Sequence, residues 1–274
     1  MTELVLSLFP GIDLLGRAFR DRGFCVVTGP DLVVGDDVRE FVTVPGRFDG
    51  IIGGPPCQDF SRARRAESIY DGYGVSMLQC FLRIVENCQP NWFLIENVPS
   101  VPDVTVRGYS VQRLDITDLE CGGVQRRLRH IQFASRAGEI IRPARLPVTD
   151  LAVVPAVTGQ ADISFVEACR RQGVTRRLRL PGWRRDARQQ AIGNAVSMHV
   201  GRTLADAVTA RSKVTECDCT CLCGRAVTGR QFCATAACRK RMERRRRGWL
   251  PLVSSTSVTQ PGDFENVTRP ADFV

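Results

Sequence analysis

The chain has 274 residues, 43% hydrophobic and 24% charged, enough apolar material for one large α/β domain with a small appendage and too much for wholesale disorder. No apolar run reaches membrane-spanning length, and the first residues lack the basic start and cleavage site of a signal peptide. A soluble, cytoplasmic protein with no membrane partner is expected. The formal charge of +9 is uneven: residues 211–274 hold 12 basic and 6 acidic side chains, which leaves +3 for residues 1–210. Such a tail suits a polyanionic partner, or is simply solvated.

Leu4–Leu8 is a short apolar run that stops at Phe9-Pro10-Gly11, where a helical pattern takes over toward Arg20. Phe24–Val27 and Phe48–Ile52 read as the second and third strands, ending in Gly29-Pro30-Asp31 and Gly53-Gly54-Pro55-Pro56. A helix over Ser76–Asn87 leads to a strand, Trp92–Ile95, that runs into Glu96-Asn97-Val98. Strands alternating with helices predict parallel crossover units, hence an α/β fold with an open, mostly parallel, helix-covered sheet. Ligands of such sheets bind beyond the carboxyl ends of the strands, where this chain carries Gly, Pro, Cys, Asp and Glu. Further strands are expected within 109–134, the stretch 139–182 is mixed, and 187–210 reads as one amphipathic helix interrupted near Gly193-Asn194. From residue 212 the composition turns to Cys, Thr and Arg, and after Gly248 to Ser, Thr, Pro and Asp. The expected organisation is a main domain over 1–211, a Cys-rich basic module over 212–248 and a disordered tail over 249–274.

Gly53-Gly-Pro-Pro-Cys-Gln-Asp-Phe-Ser61 presents a thiol on a proline-stiffened loop after a strand. An isolated cysteine in such a turn is more often buried and structural. Glu96, also at a strand end, changes that reading. A nucleophile and a proton donor converging on one crevice suit covalent activation of an electron-poor ring. Asp31, 20 residues beyond Gly11, is placed to accept from ribose hydroxyls, as acids at the second strand end do in nucleotide-binding sheets.

Leu8-Phe-Pro-Gly11, Gly53–Ser61, Glu96-Asn-Val98, Gln125-Arg-Arg-Leu-Arg129 and Gly193-Asn-Ala-Val-Ser197 resemble, in order, the signature blocks of the DNA cytosine-5 methyltransferase family over roughly the first 210 residues. The resemblance implies a Rossmann-like, S-adenosylmethionine-dependent monomer. It would act on double-stranded DNA with one cytosine flipped out, in restriction-modification or phage self-protection within a bacterial or phage-infected cell. Cys57 would attack carbon 6 of the ring while protonated Glu96 donates to N3, and Arg127 and Arg129 would hold the base and nearby charge. The bland alternative for either arginine is a solvated strand-edge residue. Phe9, Gly11, Asp31, Asp36, Pro55 and Asn194 are the implied cofactor contacts, with Asp36 near the adenine amino group and Asn194 beside the methionine end. Where the family has Phe-Xaa-Gly-Xaa-Gly-Gly, this chain reads Phe9-Pro-Gly-Ile-Asp-Leu14, and side chains at Asp13 and Leu14 are expected to narrow the approach to the cofactor. A tRNA cytosine-5 methyltransferase is one alternative, disfavoured because Gln58-Asp59-Phe60-Ser61 stands where that relative has Gln-Pro-Phe-Thr. A non-catalytic nucleic-acid-binding protein on the same scaffold is the other, favoured by Asp13 and Leu14 and opposed by Cys57, Glu96, Arg127 and Arg129.

The family reads its target through a variable region before the last block, for which only about residues 138–162 remain here, a very short span. Six cysteines crowd into residues 217–238, and in a reducing compartment a tight cluster points to metal rather than disulfides. The spacing resembles small treble-clef-like zinc modules. Cys221, Cys223, Cys233 and Cys238 are the favoured tetrahedral set for a structural Zn2+, with Cys217 and Cys219 as alternatives and a redox-sensitive disordered tail as the alternative to zinc. Arg239–Arg247 would continue as a basic helix making phosphate contacts that position rather than specify.

Overall fold

The computed structural model describes residues 2–60, 72–148, 154, 156, 163–175, 178–215, 223, 225, 239, 243 and 252–254. In chain order the elements are β1 (Leu4–Leu8), α1 (Leu14–Arg20), β2 (Cys25–Thr28), β3 (Gly50–Gly53), α2 (Tyr73–Cys88), β4 (Trp92–Asn97), β5 (Asp103–Thr105), β6 (Ser110–Thr117), β7 (Leu128–Ser135), β8 (Glu139–Ile140), α3 (Phe165–Arg171), α4 (Arg185–Asn194), α5 (Met198–Thr209), β9 (Ser212–Lys213) and β10 (Leu252–Ser254). Six strands form the main sheet in the order β2-β1-β3-β4-β7-β6. β2, β1, β3 and β4 pair in parallel, whereas β7 runs antiparallel to both β4 and β6. The mostly parallel, helix-covered sheet expected from the sequence is therefore present, with one strand reversed.

Period-two alternation divides the sheet's side chains between two cores. Val5, Ile52 and Leu94 face a cluster with Leu15 and Phe19 of α1 and Val200, Leu204 and Val208 of α5. Leu6, Leu8, Ile51, Phe93 and Ile95 face the other side, against Met77, Phe81 and Ile84 of α2. β4 is buried along its whole length, so it reads as a continuous apolar run rather than an alternating one. α1 and α5 approach closely enough that a Cβ on Gly201 would lie 2.6 Å from the Ala18 Cβ. The helical pattern over 187–210 resolves into α4 and α5, and Ser197 caps α5 by accepting from the Val200 N–H.

Two boundaries move. β8 pairs with β9, Glu139 opposite Lys213 and Ile140 opposite Ser212, so the main domain runs through Lys213 rather than ending at 211. The side chain of Gln112 bonds both the N–H and the carbonyl of Ile141 at 2.8 Å, and Ile140 and Ile141 are buried. The start of the span expected to read bases is thus core; most of residues 149–162 lies outside the described residues. Cys223 is buried in the α1–α5 core cluster, which makes that point of the Cys-rich segment part of the main domain. Cys221, Cys233 and Cys238 lie outside the described residues, as does most of Arg239–Arg247. β10 adds in parallel to β5, so Leu252–Ser254 forms a strand within the 249–274 stretch expected to be disordered. Among the described residues no group of three or more His, Cys, Asp or Glu is placed to hold a metal, and no helix is long and apolar enough to cross a membrane.

Candidate active site

β3 and β4 are neighbours in register, Gly53 opposite Ile95. The chain leaving β3 through Gly54-Pro55-Pro56 to Cys57 therefore emerges beside Glu96 and Asn97 at the end of β4. Asn97 fastens the two ends together: its side-chain amide donates to the Pro55 carbonyl at 2.9 Å while its oxygen accepts from the Val98 N–H at 2.8 Å. The Phe60 N–H closes back on the Cys57 carbonyl at 3.0 Å, and the Ser100 hydroxyl donates to the Phe60 carbonyl. Cys57 is half-buried and Glu96 buried. A Cβ on Gly54 would come within 3.1 Å of Glu96 Oε2, so glycine there leaves the carboxylate its place.

The two arginines of the Gln125–Arg129 block part company. Arg129 Nε lies 2.7 Å from Glu96 Oε1; among the described residues that oxygen has no aligned hydrogen-bond donor, so the contact is a charge pair approached off the N–H axis. Arg127 is buried and points into the protein, donating to the carbonyls of Gly193 at 2.6 Å, Ala195 at 3.0 Å and Asn194 at 3.3 Å. It grips the main chain where α4 breaks into α5. The expectation that Arg127 holds the base is corrected accordingly, because its donors are aimed at the carbonyls that a helix end leaves without partners. Burial, helped by Arg129, pushes the Arg127 guanidinium down to about 9, while Glu96, Asp118 and Cys57 favour its charge. Burial, followed by the charge of Glu96, pushes the Cys57 thiol up; Arg129, a backbone hydrogen bond and Arg127 pull it back. Cys57, Glu96, Arg127 and Arg129 thus share one electrostatic neighbourhood. Buried Asp118, which sequence reading missed, ties the last two blocks together: it accepts from the Gln125 N–H at 3.0 Å and from the Ser197 hydroxyl.

The turn after β1 is wound tightly. Phe9, Gly11 and Asp13 all take positive φ, at 52°, 55° and 53°, a region that favours glycine and is unusual for the other two. The Gly11 N–H donates to Asp31 Oδ2 at 2.7 Å, and Asp31 Oδ1 accepts from the Val33 N–H at 2.8 Å. Asp13 turns its carboxylate beneath the turn. Oδ1 accepts from the Ser7 hydroxyl at 2.9 Å, and Oδ2 meets Arg20 Nη1 at 2.7 Å and the Thr28 hydroxyl at 3.2 Å. A Cβ on Gly16 would fall 2.2 Å from Asp13 Oδ1, so that glycine makes room for the carboxylate. Leu14 packs inward with Ala18, Ala168 and Ile192. The Asp13 carboxylate therefore points toward β1, β2 and α1, and Leu14 into the cluster formed with α3 and α4; the expectation that both crowd the cofactor is corrected. Asp36 is exposed, with its N–H on the Asp31 carbonyl at 3.1 Å. Asn194 is exposed at the end of α4, Pro55 is buried, and Phe9 packs against the α2-side core. Gly11, Asp31 and Asp36 are thereby brought together, and Asn194 is joined to the Cys57 neighbourhood through Arg127. The Asp31 and Asp36 carboxylates after β2 are acceptors that fit the hydroxyls and amino group of a nucleoside, and the exposed Asn194 amide at the end of α4 adds a donor.

Residues 33–152 match the family described as C-5 cytosine-specific DNA methylase. That span holds Cys57, Glu96, Arg127 and Arg129 and leaves out Phe9, Gly11, Asp31 and Asn194. The type II methyltransferase M.FnuDI of Fusobacterium nucleatum is 33% identical over 111 residues, 34% of this chain and 32% of the relative. The type II methyltransferase M.AquIA of Picosynechococcus sp. is 44% identical over 123 residues, 36% of this chain and 49% of the relative. These matches span about a third to a half of the relatives' own lengths. Among solved structures, the methyltransferase EhMeth of Entamoeba histolytica superposes with a TM-score of 0.59 at 11% identity, covering 77% of this chain and 98% of that one. That likeness is one of fold.

Proposed function

From its similarity to C-5 cytosine-specific DNA methylases, we propose that this chain transfers a methyl group from S-adenosylmethionine to carbon 5 of cytosine in DNA through a covalent Cys57 adduct. The observation that carries the reading is the convergence of the Cys57 loop and Glu96 at adjacent parallel strand ends, joined by the Asn97–Pro55 hydrogen bond.

Carbon 5 of cytosine becomes nucleophilic once a thiolate adds to carbon 6, and the target atom is reached only when the base leaves the stack. Cys57 supplies the sulfur. Burial and the charge of Glu96 push its thiol up, so adding a proton to Glu96 removes a charge that opposes the thiolate. A protonated Glu96 then has two roles: it can donate to ring N3, and it no longer repels the sulfur. Arg129, in contact with Glu96, keeps a positive charge beside both groups throughout. S-adenosylmethionine supplies an activated methyl group. Asp31 and Asp36 would hold its ribose and adenine amino group, with Asn194 near the methionine end. A solvent base would take the carbon 5 proton, Cys57 would leave as the thiolate and the N3 proton would return to Glu96, restoring the ring, with S-adenosylhomocysteine as the other product. A structural zinc on Cys221, Cys223, Cys233 and Cys238 belongs to the same reading, on the strength of their spacing.

Bisulfite sequencing of host DNA expressing the chain tests activity and target together. Protected cytosines are expected with the parent and none with Cys57→Ala. Protection that survives the substitution, or methylation found on tRNA alone in a parallel assay, would overturn the assignment. For the zinc, metal analysis of protein purified without chelator should find about one equivalent per chain, and metal-free protein removes that part of the reading.

A further inference from the structure

The buried carboxylate of Asp59 is used by none of the steps above. It is 1% exposed and lies two residues beyond Cys57. It accepts from the Gly74 N–H at 2.7 Å and the Val75 N–H at 3.2 Å, two main-chain donors in the first turn of the 16-residue helix α2. The residue at α2's own N-cap position is Gly72, which has no side chain to cap with. A helix start leaves N–H groups without partners and carries partial positive charge, so a carboxylate is the favoured cap. Here that cap comes from the loop bearing the thiol.

Two glycines are needed for the contact. A Cβ on Gly72 would lie 2.5 Å from Asp59 Oδ1, and a Cβ on Gly74 would lie 2.9 Å from the Pro56 carbonyl and 3.2 Å from Asp59 Oδ2. The amino end of α2 thus meets the chain on both sides of Cys57, at the Pro56 carbonyl before it and at the Asp59 side chain after it. Asn97 holds Pro55 from the β4 side. The nucleophile's loop is clamped between a sheet end and a helix end.

We propose that Asp59 is a positioning residue for Cys57, its carboxylate locking the thiol-bearing loop onto the amino end of α2. The inference rests on Cys57 as the nucleophile. Its test also has a readout that needs no methyl transfer: iodoacetamide alkylation of Cys57 in the full-length protein, followed by mass spectrometry of its peptide. With the lock gone in Asp59→Ala, the half-buried thiol should be alkylated about tenfold faster, and turnover should fall on the order of a hundredfold, as expected when a reacting group drifts by an ångström. S-adenosylmethionine affinity should stay close to the parent's.

A plain helix-capping role is separated by the double variant Asp59→Ala/Gly72→Asp. Gly72 sits in extended backbone (φ −116°, ψ −167°), where an aspartate caps the helix locally once Asp59 no longer fills the space. The double variant should recover the melting temperature while alkylation stays fast and turnover stays low. Return of alkylation and turnover to parent values along with the melting temperature would overturn the proposal, as would parent-like alkylation in Asp59→Ala. A parent protein that binds cofactor and methylates nothing would count against the proposed function, and the alkylation comparison would still decide the role of Asp59.

Discussion

Replacing Arg127 with methionine keeps the apolar stem and removes the guanidinium that bridges Gly193, Asn194 and Ala195. Gln172 already donates to the carbonyls of Ile192 at 2.7 Å and Ala195 at 3.3 Å. The carbonyls most exposed to the loss are therefore those of Gly193 and, with a longer bond, Asn194. A buried acceptor left without a donor costs about 1–3 kcal/mol. Two such acceptors, Gly193 and Asn194, bring the loss to about 2–6 kcal/mol. For a domain of roughly 200 residues each kcal/mol moves the melting temperature by about 2–4 °C. A drop of about 5–15 °C by calorimetry is expected on that basis. The same turn carries Asn194, so S-adenosylmethionine affinity by titration calorimetry should fall about tenfold, equivalent to about 1.4 kcal/mol. Arg129→Met leaves the turn between α4 and α5 untouched and should retain cofactor affinity while slowing turnover. An Arg127→Met protein that melts within about 2 °C of the parent would refute the reasoning, since it would mean the α4–α5 break supplies its own donors.

Glu96→Gln removes the charge that raises the Cys57 thiol, so alkylation near neutral pH should accelerate severalfold; Arg129→Gln removes a charge that lowers it and should slow the reaction. In both cases the pH profile should move along the axis with its shape preserved, and superimposable profiles would contradict the assigned electrostatics. In the folded parent the alkylation rate should keep climbing at pH values where the denatured chain, with an ordinary thiol near about 8.5, has begun to level off. Asp13 and Gly16 should be strongly coupled. Gly16→Ala should cost about 1–3 kcal/mol in the parent, as overpacking against a fixed carboxylate does. It should be nearly neutral or stabilising in an Asp13→Gly background, where the 2.2 Å conflict is gone; additive effects in denaturant unfolding would show that the carboxylate does not occupy that space.

The strand ends were legible because two signals coincide there. The apolar runs Leu4–Leu8 and Phe48–Ile52 stop at turns of Gly and Pro, Trp92–Ile95 stops at Glu96-Asn97, and the chemistry-bearing residues sit at those ends. That Cys57 and Glu96 meet follows from β3 and β4 being parallel neighbours, as expected of consecutive crossover units. The reversal of β7 was not legible, because a strand's direction is set by its pairing with β4 and β6 and not by its own residues. Nor was the fate of Asp13. Residue type gives the cost of a Cβ at a glycine-like position, but the direction of the carboxylate depends on Ser7, Thr28 and Arg20, which come together only in the folded chain.

The stretch from Val124 to Leu128 carries the sharpest limit. Burial alternates there with the period of a strand, yet the apolar residues Val124 and Leu128 are exposed while Gln125 and Arg127 are buried. A reading of binary pattern alone places each of these side chains on the wrong face. The inversion has a physical cause. α4 ends inside the protein, and its last carbonyls would be buried without donors. Apolar side chains cannot supply hydrogen bonds, whereas an arginine offers five N–H groups and a glutamine two. Gln125 donates to the Arg171 carbonyl at the end of α3, and Arg127 to those at the end of α4. Where a core must accommodate helix ends, the inward face of the neighbouring strand has to be polar. The cue in sequence is a Gln/Arg alternation opposite a helical pattern broken by Gly-Asn, a cue about backbone carbonyls rather than about substrate.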